Sequence, residues 1–268
     1  PDPSGHQGTR AAGRPPTRLA ALAQSPESLR LAAAAAAVPA DLYRGHCLAA
    51  LWATARAAQL RGAKASFDLE DFHDEETIEA AADPIEGAAI RALQADLLPR
   101  CGLTAAAPLI GAEYARRYGV DPSVLLNAFP LAQAPAAPAD PGPVTAERPA
   151  RFYWFSQTIG PGRGLEEVIR ILARMRTPAE LQLRGFSSEG YRAHLQRLAT
   201  ESGLRPVVFL PAGPAQEMVR LAANADIGLS TETPPPLNRD LCLTNKVFVY
   251  LLAGLPQDAG GGGADAGG

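Results

Sequence analysis

Short apolar runs alternate with helical patterns along most of this chain. From Asp41 onward, each apolar run is followed by a segment whose apolar side chains recur every three to four positions. That order is typical of a parallel sheet covered by helices. In the first half, the predicted strands are DLYRGH, AKASFDL, LTAAA and SVLLNAF. The predicted helices between them are CLAALWATARAAQL, IEGAAIRALQADLLPRC and LIGAEYARRYG.

The alternation is interrupted at residues 132–150, AQAPAAPADPGPVTAERPA. Because this segment is rich in proline and has few side chains to bury, we expect an extended linker. After it, the predicted strands are RFYWFS, AELQLRG, PVVFLP and DIGLS, and the predicted helices are LEEVIRILARM, EGYRAHLQRLATES, AQEMVRLAANA and NKVFVYLLAG. The pattern therefore predicts an α/β fold of two Rossmann-like domains, residues 41–131 and 151–256, facing each other across a cleft.

The two ends of the chain differ from this pattern. Residues 1–40 begin with a polar stretch rich in Gly, Pro and Arg, which we expect to be disordered up to about Arg18. They continue with the alanine-rich run LRLAAAAAAV, which can form a helix. Residues 257–268, QDAGGGGADAGG, are glycine-rich and are expected to have no structure. We therefore expect a chain that is incomplete at both ends, with a second domain that lacks its last strands.

Composition narrows the possible functions. The chain has 268 residues, a net charge of −3 and a hydrophobic fraction of 47%, which are ordinary values for a globular protein. The arginines are scattered, so we expect no nucleic-acid partner. Three cysteines without a CxxC pair argue against a disulfide framework and a structural zinc site. With no transmembrane-length apolar run and no signal peptide in the sequence, we expect a cytoplasmic protein.

A glycine-rich turn, SQTIGPGRGLEEVI at residues 156–169, joins the strand RFYWF to a helical pattern. A dinucleotide fingerprint needs the spacing GxGxxG and an acidic residue further on. Here the glycines are Gly160, Gly162 and Gly164, and Arg184 replaces the acid at the end of the next strand. Since an arginine there could bind the 2′-phosphate of NADP, an NADP-dependent oxidoreductase stays an alternative, although nothing else in the sequence supplies a hydride-transfer site.

The cations around this turn indicate a different ligand. Arg163 stands at the start of a predicted helix, where the helix dipole disfavours a cation unless an anion binds there. Arg184 ends the neighbouring strand, at the sheet edge where ligands bind in open α/β sheets. The two arginines together predict a diphosphate site, with Gly162 and Gly164 letting the backbone approach the ligand. The alternative is a solvated arginine in a tight turn.

A proline-rich loop, STETPPPLNRDLCLTNK at residues 230–246, is long enough to indicate a function. Thr244 can cap the following helix, and Lys246 places another cation in a first helical turn. The polar candidates in this loop and at the helix start are Glu232, Asn238, Thr244, Asn245 and Lys246.

These motifs, in the order FSQTIGPGRGLEEVI, LQLRG, ADIGLSTE and LTNKVFVYLLAGLP, resemble the donor-binding domain of GT-B glycosyltransferases of the group 1 (family 4-like) type. RGLEEVI stands at the family's phosphate-binding turn, with Arg163 in place of its lysine. Lys246 and Glu232 stand in the donor loop. KASFDLEDFH resembles the strand and loop that reach the cleft from the acceptor domain. The resemblance covers about Asp41–Pro256.

The resemblance implies transfer of a sugar from a nucleotide-diphospho-sugar donor to an acceptor hydroxyl, on a glycan, a lipid or a small molecule. It implies no cofactor and no metal, because cations of the protein stabilise the leaving diphosphate. Arg163, Arg184 and Lys246 are the candidates for that role. Asp71 and His73 are the candidates for orienting or deprotonating the acceptor.

Three positions depart from the family pattern. Gln157 stands where the family often has arginine, and Leu241 and Val249 occupy its E-x7-E positions. The sequence therefore leaves the nucleotide base, the sugar and the acceptor open. It also leaves a second hypothesis, an inactive fragment or a sugar-nucleotide-binding module on the same scaffold.

Overall fold

A computed structural model describes residues 17–76, 83–136, 142–231 and 236–259. The chain divides into two compact units, Pro1–Leu125 and Leu126–Gly268, and each contains its own parallel sheet. The prediction of an α/β fold with two Rossmann-like sheets is confirmed. That the two domains face each other across a cleft stays a prediction.

The first unit is built on a four-stranded parallel sheet whose strands pair in chain order. Its strands are β1 (Leu42–His46), β2 (Lys64–Leu69), β3 (Gly102–Ala105) and β4 (Ser123–Val124). Its helices are α1 (Thr17–Gln24), α2 (Ser28–Ala37), α3 (Leu48–Arg61), α4 (Pro84–Leu97) and α5 (Pro108–Tyr118). In β1, Tyr43 and Gly45 are buried whereas Arg44 and His46 are exposed. This alternation shows that one face of the sheet packs against the helices while the other carries polar side chains.

Two sequence predictions for this unit need correction. The expected strand SVLLNAF is limited to Ser123–Val124, because the short β3 offers pairing partners only at Thr104 and Ala105. At the other end, helix α1 already begins at Thr17, inside the stretch expected to be disordered, and its buried Ala20 and Ala21 pack in the unit. The alanine-rich run does form a helix, α2. Residues 1–16 lie outside the described residues.

The second unit has a five-stranded parallel sheet with the order β7-β6-β5-β8-β9. Its strands are β5 (Ala150–Thr158), β6 (Ala179–Phe186), β7 (Val208–Leu210), β8 (Ile227–Ser230) and β9 (Gln257–Ala259). The chain winds outward from β5 to β7 and then returns to place β8 on the other side of β5. The strand order therefore reverses between β5 and β8, and open α/β sheets bind ligands at the carboxyl ends of such strands.

Helices cover both faces of the second sheet. They are α6 (Leu165–Ala173), α7 (Glu189–Ser202), α8 (Met218–Ala222), α9 (Asn238–Leu241) and α10 (Asn245–Ala253). Successive side chains of β5 point to opposite faces. Trp154 packs in a core with Leu165 and Leu183, whereas Tyr153 packs with Val219 and Tyr250. Among the described residues, no helix of either unit is long and apolar enough to cross a membrane.

The ends of the second unit also differ from the sequence predictions. The glycine-rich tail was expected to have no structure, which is wrong for residues 257–259, because they pair as β9 with β8. This pairing depends on a distant strand, so no local pattern reveals it. The linker expected at residues 132–150 stays a prediction; among its described residues, Arg148 forms an ion pair with Asp226.

Gly185 shapes the end of β5 from which the glycine turn departs. It has a φ of 145°, and a Cβ at this position would lie 2.2 Å from the carbonyl oxygen of Ser156. Only glycine permits so close an approach. The register of β5 against β6 shifts between Phe155 and Thr158, beside this contact. The last residues of β5 therefore bend just before the turn.

Candidate functional site

The glycine turn after β5 has the geometry of an anion-binding loop. Gly162 and Gly164 both have a φ of 71°, in the left-handed region that glycine adopts readily. Gly164 occupies the N-cap position of α6, and it has no side chain to cap the helix. The first N–H groups of α6 are therefore not satisfied by a side-chain cap. Arg163, half-buried between the two glycines, adds positive charge beside them.

The start of α10 has a similar arrangement. Thr244 occupies the N-cap position as predicted, but its side chain makes no capping hydrogen bond. Its hydroxyl lies 3.1 Å from the hydroxyl of Ser230 instead, at the carboxyl end of β8. By contrast, Ser188 accepts a hydrogen bond from a backbone N–H at the start of α7. The helix after β5 and the helix tied to the end of β8 are thus both among the described helices that begin without a side-chain cap.

Two hydrogen bonds join the loop after β8 to the glycine turn. The hydroxyl of Thr231 donates to the carbonyl of Arg163 at 2.9 Å. Nη1 of Arg239, in α9, donates to the carbonyl of Gly162 at 2.7 Å. The turn, the end of β8 and the start of α10 therefore meet where the strand order of the sheet reverses.

Lys246 is a buried cation in the first turn of α10. Its side chain is 8% exposed, and Nζ lies 5.1 Å from the centre of the Trp154 ring and 6.0 Å from that of Phe155. Cation–π contacts of this kind stabilise a desolvated ammonium group. Lys246 is therefore held against the last aromatic residues of β5, close to where the glycine turn begins.

Arg184 is also buried, with 8% exposure, but its contacts lie elsewhere. Nε donates to the hydroxyl of Tyr153 at 2.8 Å, and Nη1 donates to the carbonyl of Pro211 at 2.6 Å. Burial raises the pKa of Tyr153, and Arg184 opposes that shift. Within the described part of the chain, the structure does not bring Arg184 into contact with Arg163.

Two other predicted donor residues, Asn238 and Asn245, differ in burial. Asn238 is buried at the start of α9, and its Oδ1 accepts a hydrogen bond from the Cys242 thiol at 3.2 Å. Asn245 is exposed as the first residue of α10. Glu232 lies outside the described residues. Arg239 was missed in the sequence analysis, because only the folded chain brings its guanidinium to the turn.

On the first unit, Asp71 and His73 follow β2 in a loop that packs on α4 and α5. His73 is 3% exposed, and its Nδ1 lies 2.8 Å from a carboxylate oxygen of Glu76. That hydrogen bond lowers the pKa of Glu76. Nε2 of His73 is buried and has no hydrogen-bond partner among the described residues. The half-buried Asp71 accepts a hydrogen bond at its backbone carbonyl from the Tyr114 hydroxyl at 3.2 Å.

A buried carboxylate that the sequence analysis missed holds this loop in place. Asp74 is 1% exposed. Its Oδ1 accepts hydrogen bonds from the Gln94 amide and the Tyr118 hydroxyl, each at 2.5 Å, and its Oδ2 accepts one from Nη1 of Arg117 at 2.8 Å. A buried carboxylate needs such partners, because leaving it unpaired is strongly unfavourable. The network fixes the backbone that carries His73.

Polar groups also gather on the exposed face of the first sheet, at the ends of β1 and β2. Nδ1 of His46 lies 3.3 Å from oxygens of both Asp68 and Glu70. A divalent cation could use this donor set, which is empty. However, Nη2 of Arg44 lies 3.4 Å from Asp68 and places a positive charge beside it. We therefore assign no metal site to this cluster.

Comparison with known proteins identifies the fold. No protein-family model and no curated protein sequence matches this chain. HepE from Anabaena, solved in complex with UDP-glucose, has 18% sequence identity and a TM-score of 0.66 over 91% of this chain and 64% of that one. Sucrose-phosphate synthase from Thermosynechococcus elongatus has 14% identity and a TM-score of 0.64, over 91% of this chain and 61% of that one.

The lipopolysaccharide outer core galactosyltransferase WaaB, solved in its apo form, has 13% identity and a TM-score of 0.57, over 90% of this chain and 62% of that one. The chain thus spans a little less than two thirds of the length of these proteins. At such low identity, the similarity establishes the fold. The expected resemblance to GT-B glycosyltransferases is confirmed at that level.

Proposed function

We propose that this chain belongs to a glycosyltransferase that moves a sugar from a nucleotide-diphospho-sugar donor to an acceptor hydroxyl. One observation carries the proposal: the glycine turn before α6 is hydrogen-bonded to the loop that leads to α10, at the point where the strand order reverses. Both helices begin without a side-chain cap. Such helix starts favour anions, because the dipole is positive there and no side chain caps their first N–H groups.

The chemistry requires stabilisation of the diphosphate as it leaves the sugar. Preorganised N–H donors and cations supply this stabilisation without a cofactor. We assign Arg163 to the leaving diphosphate, because it lies between two left-handed glycines at the start of α6. Lys246 contributes positive charge from the start of α10. For Arg184 we propose a supporting role, since its hydrogen bonds to Tyr153 and Pro211 brace β5 and β6.

We place the acceptor, of unidentified class, on the first unit, with Asp71 and His73 as the residues that orient or deprotonate its hydroxyl. The support is their position after β2, on a loop fixed by Asp74. Because His73 is buried, an acceptor reaches its Nε2 only if neighbouring side chains move. The cytoplasmic location expected from the sequence stays a prediction.

A sugar-nucleotide-binding module without transferase activity is the second candidate. It is favoured by the burial of His73, the proposed acid–base group, whose side chain is 3% exposed. An NADP-dependent oxidoreductase has little support. Its case rested on Arg184 binding the 2′-phosphate of NADP, but Arg184 is already hydrogen-bonded to Tyr153 and Pro211.

Calorimetric titration of the 268-residue chain with UDP, GDP and ADP, with the monophosphates UMP, GMP and AMP, and with UDP-glucose and NADP tests the proposal. UDP is the first probe, because HepE was solved with UDP and with UDP-glucose. We expect at least one nucleoside diphosphate to bind more tightly than its monophosphate and than NADP. Failure of all three diphosphates to bind would contradict the proposal, and tightest binding of NADP would favour the oxidoreductase. Binding of a sugar nucleotide without transfer or hydrolysis of the sugar would favour the binding module.

A further inference from the structure

Arg239 lies directly beside the glycine turn, although 77 residues separate it from Gly162 in the chain. Its Nη1 donates to the carbonyl of Gly162 at 2.7 Å. A Cβ built on Gly162 would lie 3.8 Å from both Nη1 and Nη2. The guanidinium therefore lies on the side of Gly162 to which a Cβ would project, while it binds the carbonyl of the same residue.

This contact fixes the direction of a backbone N–H. In a planar trans peptide, the carbonyl of one residue and the N–H of the next point in opposite directions. With the Gly162 carbonyl bound by Arg239, the N–H of Arg163 points away from α9. Thr231 binds the Arg163 carbonyl and directs the N–H of Gly164 in the same manner.

The backbone would not hold this arrangement by itself. Glycine populates left-handed and right-handed conformations about equally, so the φ of 71° at Gly162 is one of several accessible states. The left-handed Gly164 is followed directly by the helical Leu165, and such alternation turns successive N–H groups toward one point where an anion can bind. A side chain that holds the preceding carbonyl selects this state before the ligand arrives.

We propose that Arg239 is a positioning residue of the donor site, which holds the glycine turn in the conformation that binds the diphosphate. This inference rests on the function proposed above. It assigns to α9 a role in recognising the diphosphate of a nucleotide-diphospho sugar. Arg239 holds the turn in place and adds positive charge beside it. Because each further phosphate adds negative charge to the ligand, the contribution of Arg239 to binding grows with the number of phosphates.

The test compares UDP, UMP and inorganic pyrophosphate by calorimetric titration of the full chain and of Arg239→Met and Arg239→Lys. The methionine variant keeps much of the side-chain length but removes the charge and the hydrogen bond. Loss of a hydrogen bond made by a charged donor is expected to weaken UDP and pyrophosphate binding about tenfold. UMP binding should weaken much less, and the lysine variant should recover part of the loss. Arg220→Met is the matched control, because Arg220 is exposed and pairs with Glu217 on the surface of α8.

The outcomes separate this inference from the proposed function. If the unaltered chain binds none of UDP, GDP and ADP, the proposed function fails. If it binds UDP and Arg239→Met binds UDP equally well, the positioning role fails while the proposed function stands. Equal losses for UDP and UMP in both variants would also overturn the positioning role, since they would indicate general damage to the loop. A melting temperature of Arg239→Lys close to that of the unaltered chain keeps the comparison valid should the methionine variant fold poorly.

Discussion

The hydroxyl of Thr231 donates a hydrogen bond to the backbone carbonyl of Arg163 at 2.9 Å. Thr231 is the first residue after β8, and Arg163 lies in the turn after β5. The contact therefore connects the two strands between which the order of the sheet reverses. Together with the contact between Ser230 and Thr244, it fixes the start of α6 relative to the start of α10.

Replacement of Thr231 by valine removes this hydrogen bond at nearly constant volume. We expect Thr231→Val to weaken UDP binding about fivefold, because a hydrogen bond of this kind contributes about 1 kcal/mol. Thr231→Ser keeps the hydroxyl and should bind UDP nearly as well as the unaltered chain. Thr200→Val makes the same chemical change on the exposed side of α7 and serves as the control. Equal affinities of Thr231→Val and the control in calorimetric titration would contradict this role.

The ring of Tyr250, in α10, packs directly against Gly228 in β8. A Cβ at Gly228 would lie 2.4–2.6 Å from three ring atoms of Tyr250. Gly228→Ala should therefore lower the free energy of unfolding by about 1–3 kcal/mol, the usual cost of overpacking a core. Urea denaturation measures this change. Gly190→Ala is the control, since nothing lies within 4 Å of a Cβ at that position in α7, and it should be neutral or stabilising. Equal stabilities of the two variants would rule out the tight contact.

The cysteines of the first unit should differ in reactivity. Burial raises the pKa of the Cys101 thiol to about 11, so little thiolate forms there at pH 8. Cys47 is exposed, and its pKa is raised as well, by the partial loss of solvent around the thiol and by the negative charge of Glu70. At pH 8 we expect iodoacetamide to modify Cys47 before Cys101, and the rate at Cys101 to keep rising as the pH approaches 11. Mass spectrometry of the unaltered chain and of Cys47→Ser measures both rates, and faster modification of Cys101 at pH 8 would contradict its burial.

His73 should matter for the acceptor and not for the donor. We expect His73→Ala to lower turnover with the acceptor substantially, because the loss of an acid–base group typically costs about 100-fold or more. UDP affinity should stay unchanged, since His73 lies in the other unit from the glycine turn. His194→Ala removes a half-exposed histidine on α7 and is the control. Unchanged turnover in His73→Ala, measured once an acceptor is identified, would remove His73 from the mechanism.

Local chemistry was enough to predict the strand and the helix that carry the candidate site, and to nominate Arg163 and Lys246, whose roles stay predictions. The strand RFYWF and the amphipathic helix after it are visible as a change in apolar periodicity, and the structure has them as β5 and α6. Arg163 was identified because a cation at a helix start conflicts with the dipole unless an anion binds. Lys246 was identified by the same argument. These inferences depend only on residues that are close in sequence.

What the sequence did not reveal depends on distant contacts. Arg239 contacts Gly162 although 77 residues separate them in the chain, so this contact could be recognised only once the strand order was known. The burial of His73 could not be predicted either, because it depends on Tyr114, 41 residues further along, whose hydroxyl accepts from the His73 N–H and donates to the Asp71 carbonyl. Arg184 was placed on the correct sheet edge, but its direction was set by Tyr153 on the neighbouring strand.

Calorimetric titration of UDP into the full chain and into Arg163→Ala tests most directly whether the glycine turn binds the donor diphosphate. A charge-assisted contact to phosphate contributes about 1.5–3 kcal/mol, so the variant should bind UDP at least about tenfold more weakly. Its melting temperature should hardly change, because a cation at a helix start does not stabilise the helix. Arg163→Lys distinguishes charge from the bidentate geometry of arginine, and Arg174→Ala, at the other end of α6, is the control. The account predicts that Arg163→Ala loses UDP affinity whereas Arg174→Ala does not, and UDP binding to Arg163→Ala as tight as to the unaltered chain would contradict it.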